Sequence, residues 1–317
     1  MGTFQTKYFQ LQQVANGVFA AIINRGSGCI ANAAVINLGG KTVVWDTFQN
    51  PRAAEELRKF ATLEFGDQPI LVINSHNHLD HCGGNQVFKD CRILSTSKTR
   101  EAMESLNPKV IESMKSQPDQ SLEYTKLIEE ETDINRRNER ILQFEDYKEF
   151  SDTVKNLQLT LPNMTFDHSM TLHGQNRTAH LFCYGGGHSP SDLILHLEEE
   201  GILLIGDLIT VGSHPLLRYG NVDEWLTILD KIESLPIKQI MPGHGTVVGK
   251  EQIKAIRDYY SGLIEIANQC VASGGTLEEM QNISVPQEYE SWRLPHLYSS
   301  NLKDIYLSLH NKLQTQK

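Results

Sequence analysis

The chain has 317 residues, which is long for a typical domain but within the range of one large α/β domain. Hydrophobic residues make up 39% and charged residues 21%, so we expect a folded protein and exclude a disordered one. The formal net charge of −10 argues against a broad phosphate-binding surface, and we expect no nucleic-acid partner.

The five cysteines give a prediction about the compartment. They are scattered at positions 29, 82, 91, 183 and 270, and no two of them form a CxxC pair. A disulfide framework is therefore not expected. The N-terminal segment lacks the basic start and apolar core of a signal peptide, and no run approaches the roughly 18 apolar residues of a membrane span. We expect a cytoplasmic protein without a membrane partner.

The first third of the sequence predicts short strands and one helix. Apolar runs rich in β-branched residues indicate strands, and Pro51 suits the first turn of a helix that continues to about Phe65. The predicted strands are Val18–Ile23, Ala33–Leu38, Lys41–Phe48 and Pro69–Asn74. The last of these is a continuous apolar run, as expected of a strand buried on both faces.

The stretch from about Ser97 to Phe150 is charged and contains no glycine. Its apolar residues recur at helical spacing, which predicts two or three exposed helices. A solvated helical insertion is the simpler interpretation, because charge runs are usually exposed faces. The alternative is a lid over a site or an arm that could serve a homodimer.

Strands alternate with helices in the rest of the chain, which predicts layered α/β packing. The predicted strands are Gln158–Leu161, Met170–Leu172, Ala179–Tyr184, Leu193–Leu197, Ile202–Ile205 and Gln239–Met241, and the predicted helices are Val222–Ser234, Lys250–Ser273 and Asn301–Leu313. We expect a single domain over residues 1–317, with a helical insertion at about 97–165 and a C-terminal helical extension at about 250–317.

The segment SHNHLDHCGG, residues 75–84, carries the strongest chemical signal. It places His76, His78, Asp80 and His81 within six residues, directly after a predicted buried strand. Imidazole nitrogens and carboxylate oxygens are the ligand types that suit zinc and similar divalent metals. On a tight turn, His76 and His78 can point at one metal while Asp80 and His81 point at a second. A coincidental polar loop would not be expected to produce this spacing.

Three further candidate ligands follow predicted strands beside glycines. These are His188 in GGGHSPSD, Asp207 in GDL and His244 in PGHG. Loops at strand ends are where α/β folds usually carry their sites, and glycine lets the backbone approach closely. The run GGG at 185–187 lacks the Lys-Ser/Thr of a phosphate-binding loop.

The ordered motifs HxHxDH, GGGHSPSD, GDL and PGHG resemble those of the metallo-β-lactamase superfamily, over roughly Val14 to Gly249. The resemblance implies a four-layer αβ/βα sandwich with a dinuclear site. It implies that His76, His78 and His188 bind the first metal, that Asp80, His81 and His244 bind the second, and that Asp207 bridges both. A carboxylate at 207 is more similar to the glyoxalase-II and lactonase branches than to true β-lactamases.

The expected function is a dinuclear hydrolase that attacks a small ester, thioester, lactone or amide carbonyl with a metal-bound hydroxide. Two zinc ions are expected, with iron or manganese as alternatives, and Asp80 and Asp207 are candidates for proton transfer. An iron-dependent oxygenase or sulfur dioxygenase on the same scaffold is the main alternative, and a nuclease is a weaker one.

Five other residues are candidates for supporting roles. His214, Arg218 and Tyr219 follow Asp207 closely and could contact a small-molecule substrate. Asp46 and Asp192 could orient ligand imidazoles as hydrogen-bond acceptors. Asp46 could instead cap the helix that begins after it. Cys82 adjoins a ligand, but a single small thiol favours packing over chemistry.

Overall fold

A computed structural model describes residues 4–315, and the side chains of residues 4–311. The chain divides after Phe182 into two compact units, which are described in turn. Within the described residues, no helix combines the length and apolarity that crossing a membrane requires. The single-domain span and the expected bounds of the insertion and the C-terminal extension stay predictions.

The first unit is built on a seven-stranded sheet with the order β1-β2-β3-β4-β5-β6-β7. Neighbouring strands are antiparallel from β1 to β4 and parallel from β4 to β7. The strands are β1 (Phe9–Ala15), β2 (Val18–Ile23), β3 (Ala33–Asn37), β4 (Thr42–Trp45), β5 (Ile70–Ile73), β6 (Arg92–Thr96) and β7 (Met164–Phe166). The four strands predicted in this region are confirmed to within three residues at their ends, and β1, β6 and β7 are additional strands.

Helix α1 (Pro51–Phe65) has the predicted bounds, and its buried residues pack against the sheet. The Asn50 side chain accepts a hydrogen bond from the backbone of Arg52, and this caps the amino end of the helix. The helix ends at Gly66, whose φ of 73° lies in the left-handed region that glycine adopts without strain. Leu57 is fully buried in the apolar core, which also contains Val44 and Phe88. This packing fixes the connection between β4 and β5.

The predicted strand Gln158–Leu161 is wrong, because this segment has no strand partner. Its backbone bonds to side chains instead. The amide of Gln158 donates to the Gln86 side chain, and the carbonyl of Thr160 accepts from Asn85. The neighbouring strand is β7, and after it β8 (Ser169–His173) and β9 (Thr178–Cys183) pair as an antiparallel hairpin.

Three helices lie between β6 and β7, in agreement with the predicted number. They are α3 (Ser97–Ser116), α4 (Ser121–Glu130) and α5 (Ile134–Val154). Of the ten residues of α4, all of them described, none is buried. Helix α4 is attached to α5 by aromatic stacking, with the ring of Tyr124 5.5 Å from Phe144 and 5.2 Å from Tyr147.

Helix α5 contacts the connection between β2 and β3, so one of its charged faces is partly covered. Arg25 forms an ion pair with Glu139, and the backbone amide of Gly28 donates to Asp146 over 2.9 Å. Gly28 is also required sterically, because a Cβ there would lie 2.9 Å from the side chain of Glu149. Residues 25–28 and α5 therefore form one structural element.

A separate ion cluster joins α5 to the N-terminal strand. Glu149 accepts hydrogen bonds from Lys7 over 2.7 Å and from the Tyr8 hydroxyl over 3.0 Å. Burial would raise the pKa of Glu149, but the hydrogen bonds from Lys7 and Tyr8 outweigh it, and the pKa is lowered. The carboxylate is therefore held in its charged form.

In the second unit, β11 pairs with β10 in antiparallel fashion and with β12 in parallel fashion. Helices follow each of the last two strands, and the predicted helices of this region are confirmed. The elements are β10 (Leu193–Leu197), β11 (Ile202–Leu204), α6 (Val222–Glu233), β12 (Gln239–Met241), α7 (Glu251–Ala272), α8 (Leu277–Gln281) and α9 (His296–Thr315). Parallel pairing of β11 with β12 brings their carboxyl ends together, and Asp207 and His244 follow those ends.

Candidate metal centre

The first unit brings four predicted ligands together where β5 ends. The chain turns after Ile73 into the short helix α2 (Leu79–Cys82), and the imidazole of His76 lies 4.7 Å from that of His78 and 4.3 Å from that of His81. The Nε2 atom of His81 lies 3.6 Å from a carboxylate oxygen of Asp80. His76 and His81 are buried, so their ring nitrogens need binding partners other than bulk water.

Asp46 lies directly behind these ligands. Its carboxylate accepts hydrogen bonds from the Ser75 amide and the Ser75 hydroxyl, each over 2.7 Å, and from Nδ1 of His81 over 2.9 Å. Its backbone has a φ of 55°, in the left-handed region, which aims the side chain back at the ligand loop. The alternative that Asp46 caps α1 is wrong, because Asn50 does so. Burial raises the pKa of Asp46, and the hydrogen bonds from His81 and Ser75 oppose that rise.

Two buried asparagines close the ligand loop at its ends. Asn74 precedes the loop and Asn85 follows it, and their side-chain amides exchange hydrogen bonds of 3.0 and 2.8 Å. The Thr47 hydroxyl also donates to Asn85 over 2.9 Å, and Asn85 donates to the carbonyl of Thr160. This amide pair, which we call the asparagine clasp, fixes the distance between the loop ends. Sequence reasoning missed it, since both residues look like ordinary turn residues.

The second unit brings together the other three predicted ligands. A carboxylate oxygen of Asp207 lies 3.3 Å from Nε2 of His188 and 3.1 Å from Nε2 of His244. Nδ1 of His188 lies 2.9 Å from the carbonyl oxygen of Leu216, so the imidazole donates there and leaves Nε2 as the lone-pair nitrogen. Gly243 allows this approach, because a Cβ at that position would lie 1.8 Å from Asp207.

Asp192 supports His188 differently from the prediction. Its carboxylate accepts from three backbone amides, those of Gly187, His188 and Ser189, rather than from an imidazole. Burial raises the pKa of Asp192 to about 6, against the opposing effect of these hydrogen bonds and of the Ser189 hydroxyl.

The three predicted substrate contacts separate into two groups. His214 is buried, and its Nδ1 lies 3.1 Å from the hydroxyl of Tyr259, between the rings of Trp292 and Tyr298. This environment favours a structural role for His214. Arg218 and Tyr219 are exposed, with the guanidinium 5.8 Å from the centre of the tyrosine ring. Substrate contact by any of the three stays a prediction.

The donor set fits a divalent metal. Ligand atoms lie within 4.8 Å of one another in the pairs His76 with His78 and Asp80 with His81 of the first unit, and likewise in the pairs that Asp207 makes with His188 and His244 in the second. Neutral imidazoles and carboxylates are the ligands of zinc, manganese and iron. Cys82 is not part of the donor set, because its thiol contacts the carbonyl of His78 and the amide of Asn107.

Comparison with known proteins gives the family. The model of the metallo-β-lactamase superfamily matches residues 26–244, more than half of the chain, and this range contains all seven candidate ligands. A metallo-β-lactamase type 2 of Bacteroides fragilis is 26% identical over 121 residues, which are 36% of this chain and 48% of that protein. The acyl-coenzyme A thioesterase MBLAC2 of Gallus gallus is 25% identical over 206 residues, which are 62% of this chain and 63% of that protein. The alignments thus span about half to two thirds of these relatives.

Solved structures show the same fold. The sec-alkyl sulfatase PisA1, as a double mutant, superposes with a TM-score of 0.69 at 17% identity, covering 95% of this chain and 50% of that one. The structure of TMB-1 superposes with a TM-score of 0.56 at 18% identity, covering 80% of this chain and 98% of that one. The predicted αβ/βα sandwich, with two sheets flanked by helices, is confirmed. The chain therefore belongs to the metallo-β-lactamase superfamily.

Proposed function

We propose that the chain is a dinuclear hydrolase in which the ligands of both units hold two divalent metals, zinc first among them. His76, His78 and His188 would bind one metal, Asp80, His81 and His244 the other, and Asp207 both. Family membership supports this assignment, because the matched range spans the complete set. The observation that carries the proposal is this completeness: all seven positions hold a residue that can donate nitrogen or oxygen to a metal.

Bound metals would supply an activated water nucleophile near neutral pH and polarise the carbonyl that it attacks. Beside the metals, two groups of this protein would orient imidazole ligands and a third, Asp207, would be a shielded ligand. Asp46 holds His81 through Nδ1, and the Leu216 carbonyl holds His188 through Nδ1, so each imidazole presents Nε2. Asp207 is almost fully buried, with one carboxylate oxygen 3.3 Å from His188 and 3.1 Å from His244, so that oxygen would meet a metal in a site largely shielded from solvent.

We propose that one of two carboxylates, Asp80 or Asp207, moves protons during the reaction. Asp80 is the more accessible of the two, with a side chain 18% exposed against 7% for Asp207. A proton released to Asp80 can therefore pass to solvent, whereas one on Asp207 stays inside the site. We propose Asp80 as the route by which protons leave.

The proposed substrate is a small molecule with an ester, thioester, lactone or amide carbonyl. Thioesters are the first class to test, because a relative that matches 62% of this chain is named as an acyl-coenzyme A thioesterase. The aspartate at 207 resembles the glyoxalase-II and lactonase branches more than true β-lactamases, which favours a carbonyl substrate other than a β-lactam.

The test is metal analysis of freshly purified protein together with a substrate panel. We expect about two zinc ions per chain and hydrolysis of one carbonyl class, lost on chelation and restored by zinc. The panel holds a short-chain acyl thioester, a lactone, an aryl ester, a β-lactam and a phosphodiester. His76→Ala and His244→Ala serve as variants in the two units. A single iron with no hydrolysis would overturn the proposal in favour of the oxygenase. Cleavage of the phosphodiester alone would overturn the carbonyl assignment.

A further inference from the structure

The triple-glycine segment before His188 binds carboxylates with its backbone. Four consecutive amides, those of residues 186–189, donate to two side chains of the same unit. Gly186 donates to Glu224 over 3.0 Å. The next three amides donate to one oxygen of Asp192 over 2.8, 2.8 and 3.2 Å. The other oxygen of Asp192 accepts from the Ser189 hydroxyl over 2.6 Å.

The glycines are what make this arrangement possible. Gly185 has a φ of 134°, which side chains disfavour, and a Cβ on Gly187 would lie 2.8 Å from the backbone of Trp225. A Cβ on Gly186 would lie 2.3 Å from the Ser189 carbonyl oxygen. Consecutive amides that converge in this way form a concavity for an anion. In this chain the anion is the protein's own carboxylate, which explains a glycine run without a phosphate-binding lysine.

The amides of residues 186–189 with their two carboxylate acceptors, which we call the cradle, hold the backbone of His188. A second contact holds its ring. The His188 amide is bound by Asp192, and the ring nitrogen Nδ1 is bound by the carbonyl of Leu216. Trp225 also lies edge-on to the imidazole, with ring centres 5.5 Å apart. Because the backbone and Nδ1 are both held, the orientation of the imidazole ring is fixed. Its Nε2 atom then lies 3.3 Å from a carboxylate oxygen of Asp207.

We propose that Asp192 and Glu224 are positioning residues that aim the imidazole of His188 at the metal by holding the backbone of residues 186–189. They touch neither substrate nor metal in this assignment. The inference rests on the proposed function, because it takes His188 to be a metal ligand. The two residues contribute unequally: Asp192 is buried and accepts four hydrogen bonds, whereas Glu224 is exposed and accepts one.

Because Asp192 accepts more hydrogen bonds than Glu224, the two substitutions should have effects of different size on metal affinity. Asp192→Asn keeps the size of the side chain but places an amide among three donors, so the cradle loses its anion. Glu224→Gln exchanges one partly solvated hydrogen bond. Glu279→Gln is the matched control. The Glu279 carboxylate accepts a hydrogen bond from the backbone amide of Thr276 over 2.7 Å, at the start of α8 and outside the segments that carry candidate ligands.

The readouts are zinc affinity by chelator competition, the visible spectrum of the cobalt-substituted protein and the urea midpoint. We expect Asp192→Asn to weaken one of two metals by about 10- to 100-fold, the usual effect of losing a residue that orients a ligand, and to change the cobalt spectrum. Glu224→Gln should show a smaller shift of the same kind, and Glu279→Gln none. A purely structural role would lower the urea midpoint and leave affinity and spectrum unchanged, which would overturn the proposal.

The proposal can still be tested if Asp192→Asn does not fold or if the wild-type protein shows no hydrolysis. If Asp192→Asn does not fold, Ser189→Ala removes the 2.6 Å bond to Asp192 together with the two bonds that the same hydroxyl makes to the backbone of Ser191. Wild-type zinc affinity and cobalt spectrum in that variant would overturn the inference. If the wild-type protein binds metals but hydrolyses no substrate, the hydrolase proposal fails while the positioning role is still decided by binding. A wild-type protein that binds no metal would refute both.

Discussion

The asparagine clasp offers a quantitative test of how the ligand loop is held. Asn74 and Asn85 are both fully buried, and each donates one hydrogen bond to the other. Asn85→Ala would leave the amide of Asn74 and the carbonyl of Thr160 without these partners. Each buried polar group left unsatisfied costs about 1–3 kcal/mol, so for these two groups we expect a loss of roughly 2–6 kcal/mol in the free energy of unfolding.

The two substitutions should not add. Asn74→Ala removes the same two hydrogen bonds that Asn85→Ala removes, so the double variant loses them only once. We expect a coupling energy of about 2 kcal/mol, the net value of two hydrogen bonds at roughly 1 kcal/mol each. The assay is urea unfolding of the metal-free wild type, both single variants and the double variant, followed by circular dichroism.

Asn163 provides the control. It also makes two side-chain hydrogen bonds to the backbone, accepting from Ile93 and donating to Cys91, but its side chain is exposed. Asn163→Ala should cost about 1 kcal/mol and should add to Asn74→Ala. Additivity of the Asn74 and Asn85 substitutions to within about 0.5 kcal/mol would refute the reasoning, because independent residues behave in that way.

Two other predictions concern charge. Asp46→Asn should weaken zinc binding by about 10- to 100-fold, because the carboxylate that accepts the hydrogen bond from His81 is replaced by a neutral amide. Asparagine tolerates the left-handed backbone at this position, so the fold should be kept. Unchanged zinc affinity in chelator competition would contradict this role. Glu149→Gln should lower the free energy of unfolding at pH 7 by up to about 1 kcal/mol. Because the pKa of Glu149 is lowered on folding, its contribution is present above the ordinary glutamate pKa and is lost as pH falls through the folded value. Thermal unfolding of both proteins between pH 7 and pH 3 should therefore converge at the acid end, and a constant difference would count against the ion cluster.

The ligands could be predicted from the sequence because they cluster there. His76, His78, Asp80 and His81 lie within six residues, and the other three each follow an apolar strand beside glycine. The strands themselves were predictable wherever apolar runs were continuous, as in β5. The alternation in β1 is weaker, since Gln10, Gln12 and Gln13 dilute it, and that strand was missed.

What the sequence could not give are contacts between distant residues. Local pattern suggested a strand at Gln158–Leu161, but side chains about 70 residues earlier take its hydrogen bonds. The charges of α5 looked like a solvated face, because nothing local indicates that Arg25 and Lys7 meet Glu139 and Glu149. Asp192 was predicted to orient a ligand imidazole, but it accepts hydrogen bonds from backbone amides instead, and that choice depends on a turn geometry that spacing alone does not define.

The exposure of α4 has a consequence for how the protein opens locally. A helix with no buried side chain gains little from tertiary packing, and a ten-residue helix is only marginally stable by itself. Its main anchor is the stacking of Tyr124 on two aromatic rings of α5. The amides of Ser121–Glu130 should therefore exchange with solvent far sooner than those of β4 or β5, and a protease should cut there first. This segment is the natural place to insert a fluorescent reporter without disturbing the ligand loops.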